Sequence, residues 1–134
     1  MQTQAVSQKN DAMLRNTLFG NVGFTLISLL LFLFASQAVA DLMGISYRWV
    51  LVVLGLGFIP FAGFVFWVAS SRTMNTQMAK IVIALDFGWV LLSYGYLIWA
   101  WSDLMIAGRW FVFIQAEAVF LFGLFQYLGL RRLR

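Results

Sequence analysis

Two acidic residues stand alone inside long apolar segments, and they are the residues of this sequence best placed to do chemistry. Asp86 lies in the segment VIALDFGWVLLSYG, and Glu117 lies in FVFIQAEAVFLFG. A carboxylate in hydrocarbon is costly, so such a residue is a functional candidate by default. It can bind and release a proton, or it can hold a cation. Which of these it does depends on the elements that position it.

The composition identifies those elements as membrane-spanning helices. The chain has 134 residues, of which 63% are hydrophobic and only 10% are charged, whereas soluble domains carry about 25% charged residues. About 20 helical residues cross a hydrocarbon core of ~30 Å. The long apolar blocks therefore predict four transmembrane helices, at about residues 16–40, 49–71, 79–102 and 109–130.

The connectors between these blocks are short, which predicts how the helices are arranged. Successive helices joined by short connectors are expected to be antiparallel neighbours, and no connector has room for a soluble domain. The sequence therefore predicts an all-α membrane protein, with a single integral membrane domain over residues 1–134 that forms an up-down four-helix bundle. The polar N-terminal tail lacks the pattern of a cleaved signal peptide, so we expect it to be retained.

The charged and aromatic residues predict how the bundle sits in the membrane. Of the nine basic residues, only Arg48 and Arg109 lie on one side of the predicted bundle. The other side holds both termini, the middle connector and seven basic residues: Lys9, Arg15, Arg72, Lys80, Arg131, Arg132 and Arg134. This bias predicts a multi-pass protein of the bacterial inner (cytoplasmic) membrane with both termini in the cytoplasm. We therefore interpret the net charge of +4 as suited to contact with anionic lipid headgroups and not to nucleic-acid binding. Interface anchors are expected at the opposite ends of the helices: Trp49, Trp99, Trp101 and Trp110.

The two halves of the chain resemble each other, which predicts a duplicated two-helix hairpin. The string NVGFTLIS at residues 21–28 matches DFGWVLLS at residues 86–93, and Asp-Leu-Met and Arg-Trp recur in both halves. The repeat units span about residues 15–72 and 80–134, and the first helix carries about one extra turn. Because each unit has two spans, the units point the same way, as in parallel-repeat transporters. A duplicated hairpin is also a simple way to build a purely structural bundle.

The repeat places Asp86 at the position of Asn21, about 9 Å into the membrane from the basic side. Asn21, Thr25 and Ser28 share one face of the first helix, and Asp86 and Ser93 share the matching face of the third. Polar side chains in membrane helices turn toward the bundle. We therefore predict an intramembrane polar site in which Asn21 faces Asp86, with Ser28 and Ser93 one layer further out. Close approach of the helix backbones is expected at three glycines: Gly20, Gly23 and Gly88.

Two interpretations of Asp86 stay open. In the structural one, Asp86 accepts hydrogen bonds from Asn21 or Thr25, or pairs with Arg15. In the functional one, it is a protonatable site or a cation site. The structural interpretation is favoured because Asp86 lies near the membrane edge, where water lowers the cost of a charge. The lack of further carboxylates that could relay protons favours it too.

Glu117 and Gln115 form a second candidate site on the fourth helix. Glu117 lies about 12 Å in from the non-basic side of the membrane. Gln115 and Gln126 share one face of this helix, and Glu117 points roughly opposite to them. A helix with polar residues on two faces can contact both its own bundle and another subunit. Alternatively, Glu117 is a core residue whose hydrogen bonds are satisfied.

Pro60 interrupts the second predicted helix. It leaves the carbonyl of Leu56 without its helical donor and should kink the helix. Such interruptions mark binding sites in some transporters, but they are also common in ordinary membrane helices.

Several classes of function are disfavoured by what the sequence lacks. It has no cysteine and no histidine, which removes thiol chemistry, the usual zinc and haem ligands and the commonest general base. There is no nucleotide-binding loop, and the two acidic residues enter the membrane from opposite sides. We therefore predict no enzymatic activity, no metal and no cofactor.

Three segments carry a resemblance to known proteins. In their order along the chain, LRNTLFGN, ALDFGWVLLS and the terminal LGLRRLR resemble a class of uncharacterised small four-helix bacterial integral membrane proteins. The resemblance covers the whole chain and implies no activity. The size is also similar to that of small multidrug transporters. Those carry an essential glutamate in the first helix, where this chain has no acidic residue, which argues against membership.

The leading expectation for function is a non-catalytic structural or accessory subunit of a membrane assembly. Its partners would be the lipid bilayer and either further copies of itself or other membrane subunits, because the exterior is apolar and the loops are very short. One alternative is a small proton- or cation-coupled transporter or channel that uses Asp86. Another is a membrane protein that binds lipid, quinone or a pigment with its aromatic side chains and Pro60.

Overall fold

Four long helices and one short helix make up the described chain. The computed structural model describes the backbone of residues 2–133 and the side chains of residues 11–133, and residues 2–133 contain no strand. The helices are α1 (Gln2–Phe34), α2 (Ser36–Leu42), α3 (Arg48–Ser70), α4 (Thr76–Trp99) and α5 (Ile106–Arg131). All except α2 contain a segment long and apolar enough to cross a membrane. The predicted all-α four-helix membrane bundle is confirmed, while the side chain of Lys9 and the whole of Arg134 lie outside the described residues.

The helix boundaries differ from the predicted ones where polar residues extend a helix or cap it. α1 begins at Gln2, so the polar tail is helical, and α1 ends at a break at Ala35. The predicted first helix over residues 16–40 is therefore parts of α1 and α2. α4 begins at Thr76 because the Asn75 side chain accepts a hydrogen bond from the Met78 N–H at 3.2 Å. Such a cap fixes the first residue of a helix, but a hydropathy pattern does not reveal it.

The helices pack in the spatial order α3, α1, α5, α4. α1 packs along α3, α4 packs along α5, and α1 also packs along α5. α3 and α4 follow each other in the chain but touch at few points, so the prediction that successive helices pack together is wrong for this pair. We call the contact between α1 and α5 the seam. The space between residues 53–61 of α3 and 84–92 of α4 is the cleft.

The seam is closed because a glycine lets two backbones touch. A Cβ atom added to Gly129 of α5 would lie 2.8 Å from the backbone nitrogen of Leu14 and 2.9 Å from its Cα atom. Real Cβ contacts are not this short, so only glycine fits here without moving α1. The contact lies at the terminal end of the bundle, which we define as the end that holds the start of α1, the connector 71–75 and the end of α5.

Of the three glycines predicted to allow close approach, only Gly20 lies against another helix. Its added Cβ would lie 3.1 Å from the Phe122 ring of α5. Gly23 and Gly88 would meet nothing within 4 Å. Because the neighbour of Gly20 is a side chain, the predicted close approach of backbones is found at none of the three. Gly88 instead borders open space in the cleft.

Three apolar clusters hold the bundle together, and they lie toward its two ends. The cluster at the terminal end includes buried side chains from all four long helices: Leu14, Leu18, Val65, Val68, Ala79, Val82 and Leu130. At the other end, which we call the α2 end, one cluster joins α1, α2 and α3 through Phe32, Val39, Ala40 and Leu51. The other joins the end of α4 to α5 through Leu97, Ala100, Leu104 and Val112. The cleft lies between these clusters.

Arg15 ties α1 to the end of α3. Its Nη1 donates hydrogen bonds to the carbonyls of Ala69 and Ser71, and its Nη2 lies 3.1 Å from a carboxylate oxygen of Asp11. The last carbonyls of a helix lack helical donors and attract positive charge, so this is a favourable place for the guanidinium. The suggested pairing of Arg15 with Asp86 does not occur.

Candidate functional site

Asp86 belongs to a buried polar triad with Asn21 and Gln126. α4, α1 and α5 each supply one of these side chains, and none is more than 2% exposed. Nδ2 of Asn21 donates to Oδ2 of Asp86 at 2.8 Å and to Oε1 of Gln126 at 3.3 Å. Nε2 of Gln126 donates to the same Oδ2 atom at 2.5 Å. The predicted contact between Asn21 and Asp86 is therefore present, and Gln126 is a third member that the sequence does not predict.

Depth in the bundle explains why Gln126 joins this layer. Asn21 lies six residues after Arg15, Asp86 lies six residues after Lys80, and Gln126 lies five residues before Arg131. Each is therefore about 8–9 Å from a basic residue at the terminal end. Counting from the basic residues at the end of α5 would have identified Gln126 as the third polar residue of the layer.

The two oxygen atoms of the Asp86 carboxylate have different surroundings. Both amide donors reach Oδ2, and none of the hydrogen bonds found among the described residues involves Oδ1. Within the same residues, no fully buried side-chain oxygen or nitrogen lacks a hydrogen-bond partner. It follows that Oδ1 keeps contact with the open space that Asp86 lines.

Thr25 and Ser28 do not bond to Asp86. The hydroxyl of Thr25 donates to the Asn21 carbonyl at 2.8 Å and lies 3.4 Å from Asn21 Oδ1. Thr25 therefore supports Asn21, and the suggestion that it donates to Asp86 is not met. Ser28 lies one turn further along α1, half-buried, where it lines the cleft.

A second polar layer lies closer to the α2 end and is centred on Gln115. Nε2 of Gln115 donates to the Ser93 hydroxyl at 2.9 Å, and Oε1 accepts from the indole N–H of Trp89 at 2.8 Å. Ser93 is thus one layer further out than Asp86, as predicted, but its hydrogen-bond partner is Gln115 and not Ser28. The sequence pattern does not mark Trp89 as a site residue, although it lies three residues from Asp86 on α4.

Glu117 is separate from both layers. It is half-buried and accepts a hydrogen bond from the hydroxyl of Tyr94 on α4. The structure therefore divides the predicted second site, because Gln115 faces the cleft while Glu117 does not line it. The contact with Tyr94 favours the interpretation of Glu117 as a core residue with a satisfied hydrogen bond.

The cleft contains a cavity of about 460 Å³ with Asp86 at the floor nearest the terminal end. Its polar lining comes from Asn21, Thr25, Ser28, Asp86 and Gln115, and the rest of the lining is apolar. Six aromatic side chains contribute: Phe24, Phe32, Phe58, Phe61, Trp89 and Phe111. At the rim, the side chains of Val53, Leu85 and Leu92 are 56%, 49% and 72% exposed on the outer face of the bundle. The cavity therefore opens sideways, between α3 and α4, toward the surface that faces lipid.

Contacts across the cleft limit its opening toward the α2 end. The rings of Phe58 on α3 and Trp89 on α4 meet edge to face, with centroids 5.6 Å apart. Further along, the hydroxyl of Tyr96 on α4 donates to the carbonyl of Met43, in the loop after α2. A second cavity of about 290 Å³ continues from the first to this loop.

Comparison of the chain with protein-family models, with curated proteins and with solved structures found no match. Its function is therefore inferred from the site itself.

Pro60 is not part of the cavity. α3 runs from Arg48 to Ser70 with Pro60 inside it, and the side chain of Pro60 is exposed. Of the glycines near Pro60, Gly57 lines the cavity.

The four predicted anchor tryptophans all lie exposed near the α2 end: Trp49, Trp99, Trp101 and Trp110. The guanidinium of Arg109 lies 4.1 Å from the centre of the Trp101 ring. Together they form an aromatic and basic border at this end, of the kind that membrane proteins place at the lipid interface.

Proposed function

We propose that this protein is a non-catalytic membrane protein that binds a small lipophilic ligand, taken from the bilayer, in the cavity of the cleft. The observation that carries the proposal is the cavity of about 460 Å³ itself, which has one carboxylate at its floor, aromatic walls and an exposed apolar rim. Ligand sites typically measure about 300–1,000 Å³ and combine apolar walls with a few placed polar groups. This is one of the alternatives that the aromatic content of the sequence suggested.

In this proposal the long helices cross the bacterial inner membrane with both termini in the cytoplasm. The support for that orientation is the excess of basic residues at the terminal end. The polar triad then lies near the cytoplasmic side, and the cavity extends from it toward the membrane centre. The rim formed by Val53, Leu85 and Leu92 faces acyl chains, so the ligand enters from the lipid.

Binding is favoured over transport by the residues around Asp86. Proton-coupled transporters pass protons along chains of ionisable groups. Among the described residues that line the cavity, Asp86 is the one ionisable side chain. Its neighbours Asn21 and Gln126 are amides, which donate hydrogen bonds but do not titrate in this range.

A pair of matched substitutions on α3 tests the proposal. An added Cβ at Gly57 or at Gly63 would meet nothing within 4 Å, and only Gly57 lines the cavity. Gly57→Phe should therefore fill the cavity, while Gly63→Phe adds the same ring outside it. We expect lipophilic compounds that copurify with the wild type to be lost from Gly57→Phe and kept by Gly63→Phe. The measurement is solvent extraction of the protein in polymer-excised native discs, followed by mass spectrometry.

Two results would contradict the proposal. One is an equal amount of every compound in the wild type and both variants. The other is no compound above the amount found in discs cut from membranes that lack the protein.

The accessory-subunit role stays a prediction, supported by the apolar exterior and the short loops. A pull-down from the host membrane in mild detergent tests it separately. A partner recovered in fixed proportion with both wild type and Gly57→Phe would support an assembly role that does not use the cavity.

A further inference from the structure

We propose that the ligand of the cleft is a lipophilic organic cation, that is, a molecule with an alkylated ammonium-type charge and an apolar body. This inference rests on the proposed function, because it names the class of ligand for the same cavity. Three features argue for it: the half-satisfied carboxylate, the aromatic walls and the sideways opening.

The carboxylate of Asp86 has hydrogen bonds but no counter-charge. No lysine or arginine is among the described residues that line the cavity. The basic side chain nearest along α1, Arg15, is bonded to Asp11 and to the end of α3. A buried charge is stable only when it is paired or neutralised. The missing partner of Asp86 is therefore a proton or a cation that enters the cavity.

The hydrogen bonds of the carboxylate leave one of its oxygen atoms accessible to that partner. The amides of Asn21 and Gln126 hold Oδ2 at 2.8 Å and 2.5 Å, which fixes the orientation of the group. Oδ1 keeps contact with the cavity, where a positive charge can approach it. A neutral quinone or an acyl chain would fill the volume but would bring no positive charge to the ionised carboxylate.

The walls suit an organic cation better than a metal ion. Hard metal ions need about six or more oxygen ligands, and no cluster of three acidic side chains lies among the described residues. Aromatic rings, in contrast, attract quaternary ammonium groups through their negative faces, and tryptophan is the strongest of them. Trp89, Phe24, Phe58 and Phe61 line the cavity that Asp86 enters.

The sideways opening selects for an apolar body. A molecule that enters from the side passes between Val53 and Leu92, which are apolar and exposed on the outer face of the bundle. An inorganic ion or a strongly hydrated amine would have to lose its water in the hydrocarbon first. A cation whose charge is already shielded by alkyl groups avoids that cost.

The test uses two probes that differ only in charge: benzyltrimethylammonium and neopentylbenzene, its neutral carbon isostere. Each is equilibrated with the full-length protein in discs of zwitterionic lipid, and empty discs correct for partition into the bilayer. We expect the wild type to bind the cation about tenfold or more tightly than the isostere, a difference of about 1.4 kcal/mol. Asp86→Asn should lose this preference and still bind the isostere normally.

Asp86→Asn is suited to this purpose because its side-chain carbonyl can accept the same hydrogen bonds from Asn21 and Gln126. Glu117→Gln is the matched control, since it removes the other intramembrane carboxylate without touching the cavity, and it should bind both probes as the wild type does. If Asp86→Asn does not fold, Trp89→Leu takes its place. This substitution keeps the triad and removes one aromatic wall, so it should weaken binding of the cation more than binding of the isostere.

The outcomes separate this inference from the proposed function. Equal binding of both probes, or cation binding that survives Asp86→Asn, overturns the inference and leaves a lipophilic binding site in place. Binding of neither probe, together with no loss of copurified compound in Gly57→Phe, overturns both.

Discussion

The seam and the cleft occupy equivalent places in the predicted repeat, yet one is closed and the other is open. In that repeat α1 corresponds to α4 and α3 to α5, so the α1–α5 seam corresponds to the α4–α3 cleft. With Arg48 aligned on Arg109, Gly129 aligns with Val68 and Gln126 with Val65. The repeat itself stays a prediction, but the comparison identifies two residues that the seam has and the cleft lacks.

These two residues explain the difference in packing. Gly129 lets the backbones of α1 and α5 touch, and Gln126 of α5 bonds both to Asn21 of α1 and to Asp86 of α4. In α3, Val68 and Val65 are buried in the apolar cluster at the terminal end and bring no polar group toward Asp86. The carboxylate is therefore held from the side of the seam and left free on the side of the cleft.

The largest expected effect follows from closing the space that the seam requires. Gly129→Val places side-chain atoms where the backbone of Leu14 lies, less than 3 Å away. Because backbone cannot move aside as a side chain can, we expect a loss of stability of about 3 kcal/mol. Thermal unfolding of the protein in discs measures it. Gly95→Val is the control, because its added Cβ meets nothing within 4 Å, and a similar fall in Tm in both variants would contradict this account of the seam.

An intermediate effect is expected from the polar link across the seam. Gln126→Leu removes one donor to Asp86 and leaves Asn21 without one acceptor, which should cost about 2 kcal/mol of stability. A double-mutant cycle sharpens the result. Gln126→Leu should couple with Asp86→Asn by about 0.5 kcal/mol or more, and should add independently to Glu117→Gln. Full additivity in the first cycle would mean that the triad is not a unit.

The smallest effect is expected on the cleft side, and with the opposite sign. Gly57 lies in the middle of α3 with open space around its Cα atom. Gly57→Ala removes backbone freedom from the unfolded chain and meets no clash, so we expect a gain of about 0.5–1 kcal/mol. The same thermal-unfolding measurement on Gly129→Ala should show a loss instead. If both changes alter Tm in the same direction, the seam and the cleft do not differ as described.

The spans and the polar layer could be predicted from sequence because they follow from local rules. Long apolar blocks require helices, and the six-residue offsets of Asn21 and Asp86 from basic residues set a common depth. The partners within the layer could not be predicted in full, because they depend on which helices lie side by side. Gln126 reaches Asp86 because α5 packs along α4, as their short connector predicts. It reaches Asn21 only because α5 also lies next to α1, and connector length does not specify that.

The sequence does not predict the open cleft, for a related reason. Connector length predicts that α3 and α4 run side by side, but the distance between two helices is set by the side chains that fill the gap. Gly57 and Gly88 leave the gap empty, whereas Gly129 lets another pair of helices close. The same residue type thus has opposite effects, and the sequence does not say which glycine faces a neighbour.

The sideways opening described for the cavity means that the site samples a concentration set by the membrane and not by the surrounding water. A compound that partitions about a thousandfold into the bilayer reaches the rim at that higher concentration. Its apparent affinity, referred to water, is then improved by about 4 kcal/mol before it makes any contact with the protein. A cavity with modest intrinsic affinity would therefore be occupied at low aqueous concentrations, and a ranking of compounds measured from water would report their solubility in lipid together with their fit to Asp86.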